Sequence, residues 1–306
     1  MLRTNKQNLI IQSVLGAISQ PRMALKNPYL VDSTGHAHVV PGTGGITYNV
    51  AVGDSALDFR GDHVEPGVSL GVVSGTDINS GGGLSVLTCV GNEVRVVSGA
   101  AAGNKGVVTG KHGGVEHVLI DFPSLTLEKL VVGDKVQIKA YGQGLEIKGF
   151  TDIHVMNLDP SFLVRMNITT QNNQLVVPVT HVIPASLMGS GLGSRHSYSG
   201  DYDIQLPDRE SVQKFGLQNL RIGDIIAIND ADCRFGRTIR NGAMTIGIIV
   251  HGSCITNGHG PGVTVLMTTA KKLIVPKMEE SANIADYLNI GVARKKSRAP
   301  QRRRRR

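Results

Sequence analysis

Apolar positions along this chain alternate far more often than they recur at helical spacing. The runs 135–138 (Lys-Val-Gln-Ile) and 225–228 (Ile-Ile-Ala-Ile) each follow a Leu-x-x-Gly-Asp turn, at 130–134 and 220–224, and a further Gly-Asp stands at 53–54. A Gly-Asp turn feeding an alternating run is the entry to a half-buried strand. Residues 86–108 form a long β-type run broken by turns, residues 176–183 another strand, and residues 244–250 carry no charge and read as a buried strand. Helical signals are few. Leu9, Ile10, Val14 and Leu15 predict a short amphipathic helix over 6–17, and short helices are expected over 209–215 and 279–290, the last ended by Gly291. The pattern predicts a mainly β protein of two β-barrel-like halves with a few short helices. The expected divisions are a β-rich first half over 1–156, a β-rich second half over 157–290, and a disordered basic tail over 291–306.

Composition supports the strands and changes the meaning of the charge. Glycine is high at 38 residues, aromatics make up 4% and tryptophan is absent, as expected of a turn-rich β chain. The net charge of +8 is a property of one end: Arg294, Lys295, Lys296, Arg298 and Arg302 to Arg306 carry nine positive charges, without which the balance falls to about −1. The body therefore lacks the overall basicity of a nucleic-acid binder, and contact with nucleic acid is expected through the tail alone. Cys89, Cys233 and Cys254 are odd in number and far apart, which fits a reducing cytoplasm rather than a disulfide framework. The first twenty residues hold no signal-peptide core, and no apolar run spans a bilayer. A soluble cytoplasmic protein is expected, without membrane contact and with homo-oligomerisation open.

The chemistry gathers in glycine-bounded loops. Residues 251–263 leave the buried strand and place His251, Cys254 and His259 among four glycines and Pro261. Asp62, His63 and Glu65 crowd an imidazole between two carboxylates; on an extended chain His63 and Glu65 point the same way, so that one orients or ligates while the other acts as base. Asp201 and Asp203 alternate around Tyr202 and would share a strand face, as paired acids that bind a divalent ion or a cationic substrate do. Arg234 and Arg237 could hold a substrate carboxylate bidentately. His36 with His38, and His112 with His117, are further candidate ligands. These residues divide into expected catalytic groups (His63, Glu65, His259 and Cys254), substrate-binding groups (Asp201, Asp203, Arg234 and Arg237) and metal ligands (Asp62, His63, His251 and His259). The cofactor they imply is one divalent metal, zinc, manganese or magnesium.

Several of these stretches carry a family resemblance. PGTGGITYNV at 41–50, GDHVEPGV at 61–68, VVSGAAAGNKGVVTGKHGG at 96–114, GDYDIQ at 200–205 and HGSCITNGHGPGV at 251–263 together resemble an uncharacterised prokaryotic family known as domain of unknown function 4438. The resemblance runs to about residue 282, excludes the basic tail and implies no established reaction. A second likeness is to acetamidase/formamidase enzymes, in the order GDYDIQ, Leu-x-x-Gly-Asp, Asn-Asp-Ala-Asp and an apolar Thr-Ile-Gly strand. It implies a metal-assisted amidohydrolase. The chain departs from it where Cys233 and Arg234 occupy the place of a His-bearing turn.

The expected function is thus a small-molecule hydrolase or lyase with a metal-assisted site at the junction of the halves. The alternative is a non-enzymatic RNA-binding module, using the arginine tail and the segment 94–111, which is similar to the KOW pattern of small barrels.

Overall fold

The computed structural model describes residues 2–23, 29–32, 34–73, 81–206 and 208–298. The first nine strands are β1 (Ile11–Ile18), β2 (Leu30–Val31), β3 (Ala37–His38), β4 (Ile46–Thr47), β5 (Gly67–Gly71), β6 (Glu93–Val96), β7 (Lys105–His112), β8 (His117–Asp121) and β9 (Lys135–Tyr141). β1, β9, β6, β7, β8 and β5 pair antiparallel in that order, and β5 pairs back onto β1, with Ala17 opposite Gly71 and Ile18 opposite Leu70. Six strands therefore close a barrel. The alternation is legible in the side chains. Val94, Val96, Val136, Ile138, Val118 and Ile120 fill the interior, while Glu93, Arg95, Lys135, Gln137 and Lys139 face out. Each such aliphatic contributes about 1.5–3 kcal/mol on full burial.

The helix expected over 6–17 is instead a 3-10 turn at Lys6–Asn8 followed by β1. Period two wins over helical spacing here because Val14, Gly16 and Ile18 form the inward face, and the missing Cβ of Gly16 lets Leu70 pack against it. The KOW-like segment is the β6–β7 hairpin of the barrel, with Val94 opposite Gly106.

The other nine strands are β10 (His154–Val155), β11 (Thr169–Gln171), β12 (Gln174–Val179), β13 (His181–Pro184), β14 (Tyr202–Asp203), β15 (Ile225–Asp232), β16 (Thr238–His251), β17 (Gly262–Thr269) and β18 (Ile274–Met278). β10, β17, β16, β15 and β13 form one sheet in that order, with β14 also on β17; β11, β12 and β18 form another. The buried run at 244–250 is the middle of β16, as expected. The two halves meet at the end of β7. Lys111 N–H donates to Thr264 Oγ1 (3.2 Å), the Thr264 hydroxyl reaches Lys111 O (3.0 Å), and Gly110 lies so close to Val250 that a Cβ would overlap it. That contact carries His112, the last residue of β7, into the second half.

The helices are short: α1 (Gly81–Leu87), α2 (Ser124–Leu127), α3 (Pro160–Arg165), α4 (Arg209–Lys214), α5 (Ile284–Leu288) and α6 (Gly291–Arg298). α4 falls where expected. The closing helix begins only at Ile284, because the Asn283 side chain accepts the Ala285 N–H and caps it there. α6 corrects the expectation of an unstructured tail from residue 291: Gly291 N–H donates to Asp121 Oδ1 (3.2 Å) and the Arg294 guanidinium pairs with Asp121 Oδ2, which ties the segment to the barrel. Residues 299–306, with the terminal arginines, lie outside the described residues. Among the described residues no helix is long and apolar enough to cross a membrane.

One histidine away from the cavity bears on acid stability. His181 donates from Nε2 to Gly216 O (3.1 Å), and its Nδ1 accepts from Thr180 Oγ1 (2.8 Å). Burial lowers its pKa from 6.5 although Asp224 opposes the shift. A base whose folded pKa is lowered takes up its proton first in the unfolded chain, so its stabilising contribution is lost as pH falls through and below 6.5. Melting temperatures measured from pH 8 to pH 5 are expected to decline less in His181→Gln than in the wild type; equal slopes would exclude this role.

Candidate functional site

Two loops of the first half and the start of the loop after β16 build one wall. Residues 41–45, 61–66 and 252–253 are laced together: Asp62 N–H donates to Pro41 O (3.0 Å), Glu65 N–H to Gly42 O (2.9 Å), His63 N–H to Ser253 O (3.1 Å) and Gly252 N–H to Val64 O (3.0 Å). These bonds hold His63 at φ 46°, a left-handed conformation that costs a non-glycine residue about 1–3 kcal/mol. The turn at His63 sends its ring one way and the Glu65 carboxylate another, so the shared face expected of an extended chain does not form. The last residue of β7, His112, joins the same wall.

The second half supplies the opposite wall. Tyr202 and Asp203 of β14 pair with Val263 and Gly262 of β17. The β16–β17 register shifts between Ile249 and His251, and this bulge sets His251 opposite Gly262, beside the two acids. Gly262 is required by that crowding, because a Cβ on it would overlap both Asp201 Oδ2 and His251 Nε2. The loop after β16 brings His259 back over Asp203, with His259 Nδ1 3.1 Å from Asp203 Oδ2 and 3.2 Å from His63 Nε2. The walls enclose a cavity of about 720 Å³, lined by Asp62, His63, His112, Asp201, Asp203 and His259 among others. His251 is fully buried behind Asp201, which lines the cavity.

Hydrogen bonds fix which ring nitrogens are free. A carboxylate or carbonyl oxygen only accepts, so Nδ1–H donates from His112 to Glu65 Oε1 (2.5 Å), from His63 to Asp62 Oδ1 (2.8 Å) and from His251 to Gly252 O (2.8 Å). Each of these rings then turns Nε2 to the remaining groups, the arrangement in which an outer partner fixes a ligating imidazole. His251 Nε2 and Asp201 Oδ2 stand 2.7 Å apart, an ion pair when the ring carries a second proton and otherwise a contact with no donor between the two atoms. With Nδ1–H committed to Gly252, a neutral His251 would set the two atoms lone pair to lone pair. Only a cation between or beside them, a proton or a metal, relieves that contact. Among the described residues, three sets of side chains could hold a metal: Asp62 with His63 and Cys254; His63 with Asp203 and His259; and the wholly buried His112, Asp201 and His251.

The fields agree with a cation site. Burial opposes charge on His63, but Asp203 and Asp62 more than offset it and push its pKa up to about 12. Burial likewise opposes ionisation of Asp201, yet the His251 and His112 rings hold its carboxyl well below the usual carboxylate range. Glu65 is depressed in the same way by His112 and His117.

The sequence-derived candidates separate into three groups. Asp62, His63, His251, His259, Asp201 and Asp203 converge, from positions almost two hundred residues apart. Cys254 lies beside Asp62 and His63 at the edge of the cluster. His112, noted only as a further ligand, is central. Glu65, expected to be catalytic, has no exposure; it accepts from His112, His117, Ser69 Oγ and Gly44 N–H and positions the first of these. Arg237, expected to bind substrate, lines the cavity; its guanidinium donates to backbone carbonyls of Gly191, Ser199 and Asp201 and stacks on Tyr202, so it also braces the strand of acids. Arg234 is placed elsewhere: a residue two positions from Asp232 on an extended segment lies on its side, and the two pair at 2.7–2.9 Å. His38 pairs with Asp32, and neither it nor His36 lines the cavity.

Family models describe much of the chain. The N-terminal domain of unknown function DUF4438 matches residues 29–164 and its C-terminal counterpart matches residues 165–288. A solved structure described as the crystal structure of TM1086 is 47% identical over 94% of this chain and 99% of its own, with a TM-score of 0.88. Comparison with curated proteins gives no match.

Proposed function

The chain belongs to the family of the domain of unknown function DUF4438, and we propose that it is a metal-dependent hydrolase or lyase acting on a small molecule at the junction of its two halves. One observation carries the reading: a buried imidazole nitrogen, His251 Nε2, and a buried carboxylate oxygen, Asp201 Oδ2, meet at 2.7 Å in a contact that needs a cation, proton or metal, beside a cavity lined by His63, His112, Asp201, Asp203 and His259. Imidazole and carboxylate donors suit zinc or manganese better than magnesium, which prefers oxygen alone. A divalent ion supplies Lewis acidity: it polarises a carbonyl or phosphoryl oxygen and acidifies water at neutral pH.

The chain's own residues do the rest. Glu65 and the Gly252 carbonyl fix the tautomers of His112 and His251, so that both rings offer Nε2 with Asp201 between them. Asp62 does the same for His63. Arg237 holds the Asp201 backbone in place. The cavity is large enough for a small molecule and too small for a folded partner.

Elemental analysis of the purified protein tests this, joined to thermal melts of chelator-treated protein with and without Zn²⁺ or Mn²⁺. Bound transition metal and a melting temperature raised by its return are expected, both lost in Asp201→Asn and in His251→Ala. Wild-type protein that neither carries nor takes up metal would sink the proposal.

A further inference from the structure

We infer that the cluster is built to hold two divalent ions, with Asp203 shared between them. The inference rests on the metal-dependent reading above and goes beyond it in number and ligand set.

Too many donors are present for one ion. Four imidazoles crowd together: the His63 ring centroid lies 5.5 Å from that of His112, 5.1 Å from His251 and 5.2 Å from His259, and His112 and His251 are 4.2 Å apart. With Asp201 and Asp203 they fall into two groups of three, an inner one of His112, Asp201 and His251 and an outer one of His63, Asp203 and His259.

The outer group has the dimensions of a coordination site. Its three atoms form a closed triangle: His63 Nε2 to His259 Nδ1 is 3.2 Å, His259 Nδ1 to Asp203 Oδ2 is 3.1 Å and His63 Nε2 to Asp203 Oδ2 is 3.6 Å. Donors held at about 2.0–2.2 Å from one ion stand about 2.8–3.6 Å from each other across octahedral to tetrahedral geometries. A single proton satisfies one edge of such a triangle; a cation at its centre satisfies all three.

The inner group holds the 2.7 Å contact of Asp201 Oδ2 with His251 Nε2, two buried atoms that need a cation, proton or metal, to face each other. Asp203 joins the groups. Its Oδ2 belongs to the outer triangle while its Oδ1 lies 3.8 Å from His251 Nε2. A carboxylate with one oxygen toward each group is how two ions are commonly linked for in-line or carbonyl chemistry.

His259 offers a clean test, because its side chain is 36% exposed and its removal leaves the core intact. Metal-free wild type and His259→Ala are titrated with Zn²⁺ and the bound ion is counted; Mn²⁺-loaded samples are examined by electron paramagnetic resonance. Two equivalents and a spin-coupled manganese signal are expected for the wild type. One equivalent, an uncoupled signal and at least a hundredfold weaker second binding step are expected for His259→Ala, with the metal-free melting temperature unchanged. A wild type that saturates at one equivalent, or a His259→Ala protein that still binds two, overturns the shared-ion inference while leaving the metal-dependent reading standing. Zero equivalents in the wild type overturns both.

Discussion

Gly262→Ala is expected to remove bound metal almost completely while changing a single methyl group. The Cα of Gly262 faces the closest part of the cluster, and a Cβ there would come within 3.0 Å of both Asp201 Oδ2 and His251 Nε2. Neither neighbour can retreat. Asp201 Oδ1 accepts the Gly113 N–H at 2.7 Å, its carbonyl is held by Arg237, and His251 is tied through Nδ1 to Gly252 at the end of a fourteen-residue strand. Overpacking of this kind costs about 1–3 kcal/mol, and here the strain falls on the two side chains that would take the ion. The expected result is metal content near zero with a lowered but still cooperative thermal transition. Gly71→Ala is the control: it also sits in a strand, but its Cβ would meet only Ser19 at 3.7 Å, and stability and metal content should stay near wild type. A Gly262→Ala protein with full metal content would mean that Asp201 and His251 do not converge on Gly262.

Why some of this could be read from the chain and some could not has a physical basis. Alternation reports which face of a strand is buried, so the barrel strands at 93–96 and 135–141 were visible. Residues 6–17 were ambiguous because the inward set of β1 includes Gly16, which carries no hydropathic signal of its own. Loops thick with glycine, histidine and acid marked the site because close backbone approach and polar side chains coincide there. Alternation around Tyr202 put Asp201 and Asp203 on one face, and both acids do approach the same His251 nitrogen. Partner choice was invisible. Nothing in the order of residues says that Arg234 satisfies Asp232, that Arg237 faces carbonyls, or that a left-handed φ at His63 parts it from Glu65. The Arg234–Asp232 pair is local, but the Arg237 contacts and the bond from His63 N–H to Ser253 O span long sequence separations, as does the central place of His112, which follows from the packing of β7 against β17.

Glu65→Gln is expected to damage folding and metal affinity together. The Glu65 carboxylate receives donors on both oxygens: His112 and His117 at Oε1, Gly44 N–H, Ser69 Oγ and His117 at Oε2. A glutamine keeps the shape but turns one oxygen into a donor, and either orientation then sets donor against donor. Removing one partner of a fully buried charged network costs about 3–5 kcal/mol. Urea unfolding at pH 7 should show a loss of that size. His112 would also lose the group that fixes its tautomer, which weakens metal binding about 10–100-fold in comparable outer-partner substitutions. The acid limb gives an independent readout. Burial would raise the Glu65 pKa from 4.5, but the His112 and His117 bonds outweigh it and hold the group ionised well below that value. An acid whose folded pKa is depressed contributes stability that is complete above its unfolded value and is lost as pH falls below about 4.5 through the folded value. The wild type should therefore lose stability more steeply below pH 4.5 than Glu65→Gln, and the two curves should approach each other in strong acid. Matching stabilities at pH 7 would show that the carboxylate is dispensable, and parallel acid limbs would show that it does not titrate with folding.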